Sequence, residues 1–200
     1  LDTWLEDVVP QHTNKEVRSF RYADDQVLCC YYRSDAIKVL KALKGRLTKF
    51  GLQLNEEKTK EVEFNKRKFL CVKQGTFDYL GFTFYIRRSR IGKVHVVAKT
   101  SNKRYCSKLR NVKHWCKTNR GKYKLRPLWD TFNSKLRGHI QYYGISLNLD
   151  NVSKFVCQST HIFFKWINRR SQKKSMNWEQ FNLFLKTFPS PKVKVCHQLF

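Results

Sequence analysis

The sequence predicts an α+β fold in which β-hairpins and a helix come first and a run of helices follows. Three observations carry this. Aromatic and β-branched residues cluster in short runs on both sides of Asp24-Asp25, and again over residues 77–97. From Thr100 onward the apolar residues recur instead at three- and four-residue spacing. Between the two regimes the charge changes character, with fifteen Lys and Arg but no Asp or Glu between Asp78 and Asp130.

Taken in chain order, residues 18–23 and 27–32 read as the arms of a β-hairpin with two carboxylates at its turn. Ser34 is placed to cap a helix whose apolar stripe is Ala36, Leu40, Leu43, Leu47 and Phe50, with Gly51 as its stop. Short strands are expected over residues 61–64, 77–79, 82–86 and 94–97. A strongly basic helix spans residue 101 to about residue 119. A second starts after Pro127 and carries Leu128, Phe132, Leu136, Ile140 and Tyr143 on one face. A third runs from Asn151 with Val152, Phe155, Val156, Phe163, Trp166 and Ile167 inward, and a fourth covers about residues 177–187, stopping before Pro189. The boundary between the α+β part and the helical part falls near residues 98–102.

Two hundred residues suffice for one ordinary domain or two small modules. The 41% hydrophobic and 14% aromatic content excludes a disordered polycation. A formal charge of +26 and a pI near 10.0 call for a polyanionic partner. Nucleic acid fits best; a membrane does not, because no apolar run approaches the roughly 18 residues that spanning requires. Seven cysteines form no C-x-x-C pair, and His114 near Cys116 is a poor substitute for paired zinc ligands. Free thiols in a reducing compartment, bacterial cytoplasm or an organelle, are the simpler reading. No signal peptide is visible, and the chain opens at Leu1 with Met176 as its only methionine, so an upstream segment is expected to be missing.

Tyr22-Ala23-Asp24-Asp25 is the sharpest chemical feature. Phosphoryl transfer by two metals needs hard oxygen ligands held across the reacting phosphate, and a tight turn can present two on a rigid scaffold. Adjacent acids also occur in ordinary turns, so order along the chain matters. Arg21-Tyr22-Ala23-Asp24-Asp25 resembles the catalytic hairpin of reverse transcriptases. Gly51-Leu52-Gln53-Leu54-Asn55-Glu56-Glu57-Lys58-Thr59 resembles the family's next block, and Phe77-Asp78-Tyr79-Leu80-Gly81-Phe82 the hairpin that closes the palm. The second half, with Lys135-Leu136-Arg137-Gly138-His139-Ile140-Gln141-Tyr142-Tyr143-Gly144 and Trp166-Ile167-Asn168-Arg169-Arg170-Ser171-Gln172 followed by Trp178 and Phe181, resembles the thumb of group II intron maturases.

The resemblance implies the C-terminal part of a reverse-transcriptase palm over residues 1–98 and a helical thumb or maturase-specific domain over residues 99–200. Leu1 to Glu6 would be the helix before the hairpin. Asp24 would ligate Mg²⁺ directly, with Asp25 in support. Lys58 maps onto a lysine that would protonate pyrophosphate, the plainer alternative being a solvated lysine at the start of a strand. Gly81 would sit in the turn that grips the primer end. Arg87, Arg88, Arg90, Lys99, Lys103, Arg104, Lys108, Arg110 and Lys113 are candidates for phosphate contact. Tyr105, Trp115 and Tyr123 are candidates for base stacking, core packing being the better reading of Trp115. Arg137, His139, Gln141, Arg169, Arg170 and Lys173 would line the thumb, with Trp166 and Trp178 as core.

The partners implied are intron RNA, a template–primer duplex and dNTPs, and the set admits a homodimer. The family's further carboxylate and its Q-G…S-P block do not occur here, and Asp2 and Asp7 lie on the opening helix. The 200 residues alone are therefore not expected to polymerise; a non-catalytic splicing factor or a decayed element remains the alternative. Affinity for RNA should fall steeply with salt, by about tenfold or more between 50 and 200 mM. A titration monitored by filter binding checks this, and a flat response would remove the phosphate-contact assignment.

Overall fold

In a computed structural model, residues 1–65, 75–89, 91–170 and 176–198 are described. They form two compact units, Leu1–Asn65 and Lys66–Phe200.

The first unit opens with a helical stretch, Trp4–Val8 and Val9–His12, and continues into β1 (Val17–Tyr22), β2 (Asp25–Cys30) and α1 (Arg33–Lys49). The strands pair antiparallel from Val17↔Cys30 to Tyr22↔Asp25. Leu5, Val9, Val17 and Val39 form the core, with Trp4, Leu28 and Cys30 against it. The inward row of α1 is Asp35, Val39 and Leu43, which shares Leu43 with the expected stripe but puts Asp35 and Val39 in place of Ala36 and Leu40, and Phe50 is 69% exposed. Ser34 does not cap this helix, whose first turn is fixed by Asp35 instead. That carboxylate is fully buried and accepts from Asn14 N at 3.0 Å and Asn14 Nδ2 at 2.9 Å. A carboxylate in the first turn is also favoured by the helix dipole. Gly51, at φ +69°, ends α1 as expected: its N–H reaches Thr48 O and that of Leu52 reaches Leu47 O, the paired bonds of a Schellman motif. Residues 61–64 form no strand.

The second unit begins its described part with an antiparallel meander, β3 (Phe77–Tyr79), β4 (Phe82–Arg88) and β5 (Val94–Thr100). Four helices follow: α2 (Asn102–Asn119), α3 (Leu125–Tyr143), α4 (Leu149–Ile167) and α5 (Trp178–Thr187). Helices α3 and α4 carry their expected inward faces, but both begin early, α4 two residues before Asn151. Helix α3 starts two residues before Pro127, which sits in the first turn where its missing N–H has no intrahelical partner to lose. Ser101 caps α2, and Asn177 with Gln180 forms a capping box on α5.

The core joins Leu128, Trp129, Phe132, Leu136, Ile140 and Tyr143 of α3 to Val152, Phe155, Val156, Phe163, Trp166 and Ile167 of α4 and Phe181 of α5. Trp129 is wholly buried among Phe132, Phe163, Phe181 and Phe184, and its indole N–H donates to Phe188 O at 2.9 Å. Each such side chain contributes about 1.5–3 kcal/mol by burial.

Asn148, fully buried between α3 and α4, ties the sheet to the helices. Its Oδ1 accepts from Thr100 N at 2.9 Å, while Nδ2 donates to Thr100 Oγ1 at 2.9 Å and Tyr143 O at 2.8 Å. Asn148→Ala would remove the three hydrogen bonds that hold Thr100 and Tyr143 to this junction, at a cost of about 2–4 kcal/mol. Urea unfolding should show this loss, against less than about 1 kcal/mol for Ser153→Ala, which is exposed on the same helix.

Candidate active site and nucleic-acid interface

The carboxylate turn follows from register. Because Tyr22 pairs with Asp25, only Ala23 and Asp24 form the loop, a two-residue hairpin connection. Ala23 has φ +51°, a left-handed backbone that side chains other than glycine adopt at some cost. Asp24 therefore stands at the tip and Asp25 opens β2, both exposed. Arg21, on the preceding arm, pairs with Asp2 of the opening helical stretch. The Arg21 guanidinium holds the Asp2 carboxyl below its ordinary range, so that carboxylate is engaged within the first unit. Asp24 and Asp25 are hard oxygen donors of the type Mg²⁺ accepts. Among the described residues no cluster of three or more His, Cys, Asp or Glu forms.

Lys58 lies in a turn after α1, where its N–H donates to Asn55 Oδ1 at 3.1 Å. Its side chain is exposed.

The charge is divided sharply between the units. Residues 1–65 hold eleven Lys/Arg and eleven Asp/Glu, whereas residues 66–200 hold thirty against four, so the whole +26 resides in the second. On the meander, Arg87 and Lys99 share the exposed face with Tyr85, and Lys99 Nζ lies 4.9 Å over that ring. Arg88 is exposed at the end of β4, with its Nε donating to Gly92 O at 3.3 Å. Lys103, Arg104, Lys108, Arg110 and Lys113 are all exposed on α2, while Tyr105, Leu109, Val112 and Trp115 pack toward the core.

Gly81 is the second position of a two-residue turn, Leu80-Gly81, with φ +50° and +81°. Positive φ at both central positions is the pattern of a type I′ hairpin, which glycine makes accessible. The turn is clamped by residues that sequence reasoning did not assign: Tyr142 Oη donates to Leu80 O at 2.8 Å, and Ser101 N to Gly81 O at 2.9 Å. A Cβ at position 81 would stand 2.9 Å from Tyr143 Oη and 3.6 Å from Arg104 Cγ, so Gly81 and Arg104 are brought together. The adjacent tyrosines ahead of Gly144 were the available signal.

The thumb candidates are dispersed. Arg137 and Gln141 are exposed on α3, and Arg169 is exposed with its guanidinium 5.0 Å from the Trp166 ring. Arg170 is half-buried and donates to Tyr123 O at 2.8 Å. Trp166 is core, whereas Trp178 is 40% exposed. Tyr123 is exposed. Arg90, Lys173, Ser171, Gln172 and Cys71 lie outside the described residues.

His139 is in the core instead of on the surface. It is buried, its ring stacks on Phe155 at 3.6 Å between centroids, and Nδ1 has no partner among the described residues. Position 139 falls one residue before Ile140 on the inward side of α3, a placement that helix–helix packing selects and spacing alone does not reveal.

A hairpin bearing two exposed carboxylates is followed by a strongly cationic unit, a charge pattern compatible with nucleic-acid recognition. Residues 3–84 match the family model for reverse transcriptase (RNA-dependent DNA polymerase), so this stretch is a reverse transcriptase domain. Comparison with curated proteins and with solved structures finds no match. Among the described residues no helix is long and apolar enough to cross a membrane.

Burial, with the nearby Lys108 charge adding to it, pushes the His139 pKa down from 6.5 to about 4. The fold holds the neutral ring while the unfolded chain gains a proton below about 6.5. Stability from this site is therefore complete above pH 6.5 and is lost as pH falls toward about 4. Urea midpoints across that window should decline in the parent chain, and His139→Phe, which keeps the stack, should flatten the decline.

Proposed function

We propose that the chain is part of an RNA-directed DNA polymerase of the group II intron maturase type, with residues 1–98 as the end of the palm and residues 99–200 as the thumb. The observation that carries this is the Ala23-Asp24 turn, which exposes Asp24 and Asp25 within a segment matching the reverse transcriptase family. The maturase assignment rests on the motifs of the second half alone.

In this reading Asp24 ligates Mg²⁺ and Asp25 supports it, together with the carboxylate that reverse transcriptases supply from an earlier strand. Bound Mg²⁺ supplies Lewis-acid stabilisation of the transferring phosphoryl group. The protein's own residues orient the strands. Arg21, tied to Asp2, fixes the hairpin arm that carries the acids. Lys58 donates a proton toward the departing pyrophosphate. The Leu80-Gly81 turn, pinned by Tyr142 and Ser101, lets backbone approach the primer end, where a side chain would intrude. Arg87, Lys99, Lys103, Arg104, Lys108, Arg110 and Lys113 take phosphates of a template–primer duplex or of structured intron RNA, with dNTPs as the substrates of synthesis.

A second reading is favoured by the division of charge. All net positive charge lies in the unit that lacks the acidic hairpin, as a splicing factor that holds intron RNA without catalysis would require. The two readings separate on Asp24→Ala/Asp25→Ala. In a polymerase reconstituted with the upstream catalytic segments, this double variant should lose primer extension by at least about a thousandfold while RNA affinity stays within about twofold. Undiminished extension would remove the catalytic assignment and leave the binding role.

A further inference from the structure

The outer face of α4 carries a feature that neither the carboxylate hairpin nor the α2 cations account for. Cys157, Gln158, His161 and Ile162 line an open hollow of about 460 Å³. Its polar groups are oriented. Tyr105 Oη donates to Gln158 Oε1 at 2.9 Å, which leaves the Gln158 amide nitrogen as a donor. His161 Nδ1 stands 2.8 Å from Cys157 O. A carbonyl only accepts, so Nδ1 carries a proton in this contact.

The His161 ring also stacks on Trp178, 4.9 Å between centroids and 26° between planes, and Trp178 is backed edge-on by Phe164 at 4.8 Å. Lys154 precedes Gln158 by four residues and Lys165 follows His161 by four, so all four share one exposed face of the helix. At 1.5 Å per residue the two lysines are about 16 Å apart along the axis, a span of two or three nucleotides.

We propose that this hollow binds one unstacked nucleobase of single-stranded RNA. The base stacks on the His161 ring, whose other face lies against Trp178, its edge meets the Gln158 donor, and Lys154 and Lys165 take phosphates of the same strand. The Gln158 donor matches a base edge that offers an acceptor, as adenine does on its Watson–Crick edge. Base-paired RNA buries that edge in its own helix, so the hollow selects unpaired strand. This deepens the RNA-binding reading above and rests on it.

Fluorescence anisotropy of the full chain, with a short oligoadenylate and with an RNA duplex of equal length, tests the assignment. His161→Ala and Gln158→Leu should each weaken single-strand binding by about tenfold, leaving duplex affinity and the salt slope unchanged. On the ligand side, an abasic oligonucleotide should bind the unaltered chain with the same loss, a readout independent of any effect on folding. The proposal is overturned if single-strand affinity is unchanged in both variants, if both ligands weaken equally, or if the abasic strand binds as well as oligoadenylate. Should the unaltered chain bind neither RNA, the RNA-binding reading itself fails, an outcome distinct from selective failure of the hollow.

Discussion

Thirty positive charges against four negative ones must be held in a single compact unit, and that self-repulsion is the constraint on which the second part of this protein turns. The answer in the structure is an uncharged aromatic interior. Trp129 sits at its centre with Phe132, Phe163, Phe181 and Phe184 around it, while the cations are carried outward on α2 and the meander. Apolar burial is indifferent to the sign and spacing of surface charge, so the core can be strong whatever charge the surface carries. The cations remain uncompensated by neighbouring carboxylates because the sequence supplies almost none there. Such a surface is stable in isolation only to the extent that the core outweighs repulsion, and it gains when counterions or a nucleic acid screen it.

The two hairpins solve a related problem of presentation. Each uses a two-residue connection, and each places a non-glycine residue, Ala23 or Leu80, in the left-handed region. Such a backbone costs of order 1–2 kcal/mol and persists where its surroundings over-determine it. At Leu80-Gly81 the determinants are visible: the Tyr142 hydroxyl, the Ser101 amide and the Tyr143 ring hold the turn from three directions. Asn148 then binds the end of β5 to the junction of α3 and α4, so the meander and the helices share one hydrogen-bonded support. At Ala23-Asp24 the paired arms and the Arg21–Asp2 ion pair supply the corresponding restraint.

Much of this was legible in residue order. Aromatic and branched runs on either side of Asp24-Asp25 specified the first hairpin, and Gly51 specified the end of α1. The inward rows of α3 and α4 were readable because Leu128, Phe132, Leu136 and Ile140, like Val152, Phe155 and Val156, recur at helical spacing. The errors share a cause. Ser34 has the right chemistry for a cap, but Asn14, distant in sequence, bonds Asp35 and fixes the first turn from outside. Residues 61–64 have strand-forming composition but are in no strand among the described residues, and a strand exists only through its pairing. His139 is polar by type, yet it faces Phe155 on another helix, and stacking decided its burial.

The sequence by itself determined the class of fold, the concentration of positive charge in its second part, and the identity of the two exposed acids, because composition, periodicity and turn register are local properties. Tertiary structure alone decided which polar residues are buried, how the Leu80-Gly81 turn is clamped, and that Tyr105, Gln158, His161 and Trp178 from three helices meet around one hollow. These are relations between residues tens of positions apart, and their free energy exists only once the core has brought the helices into contact.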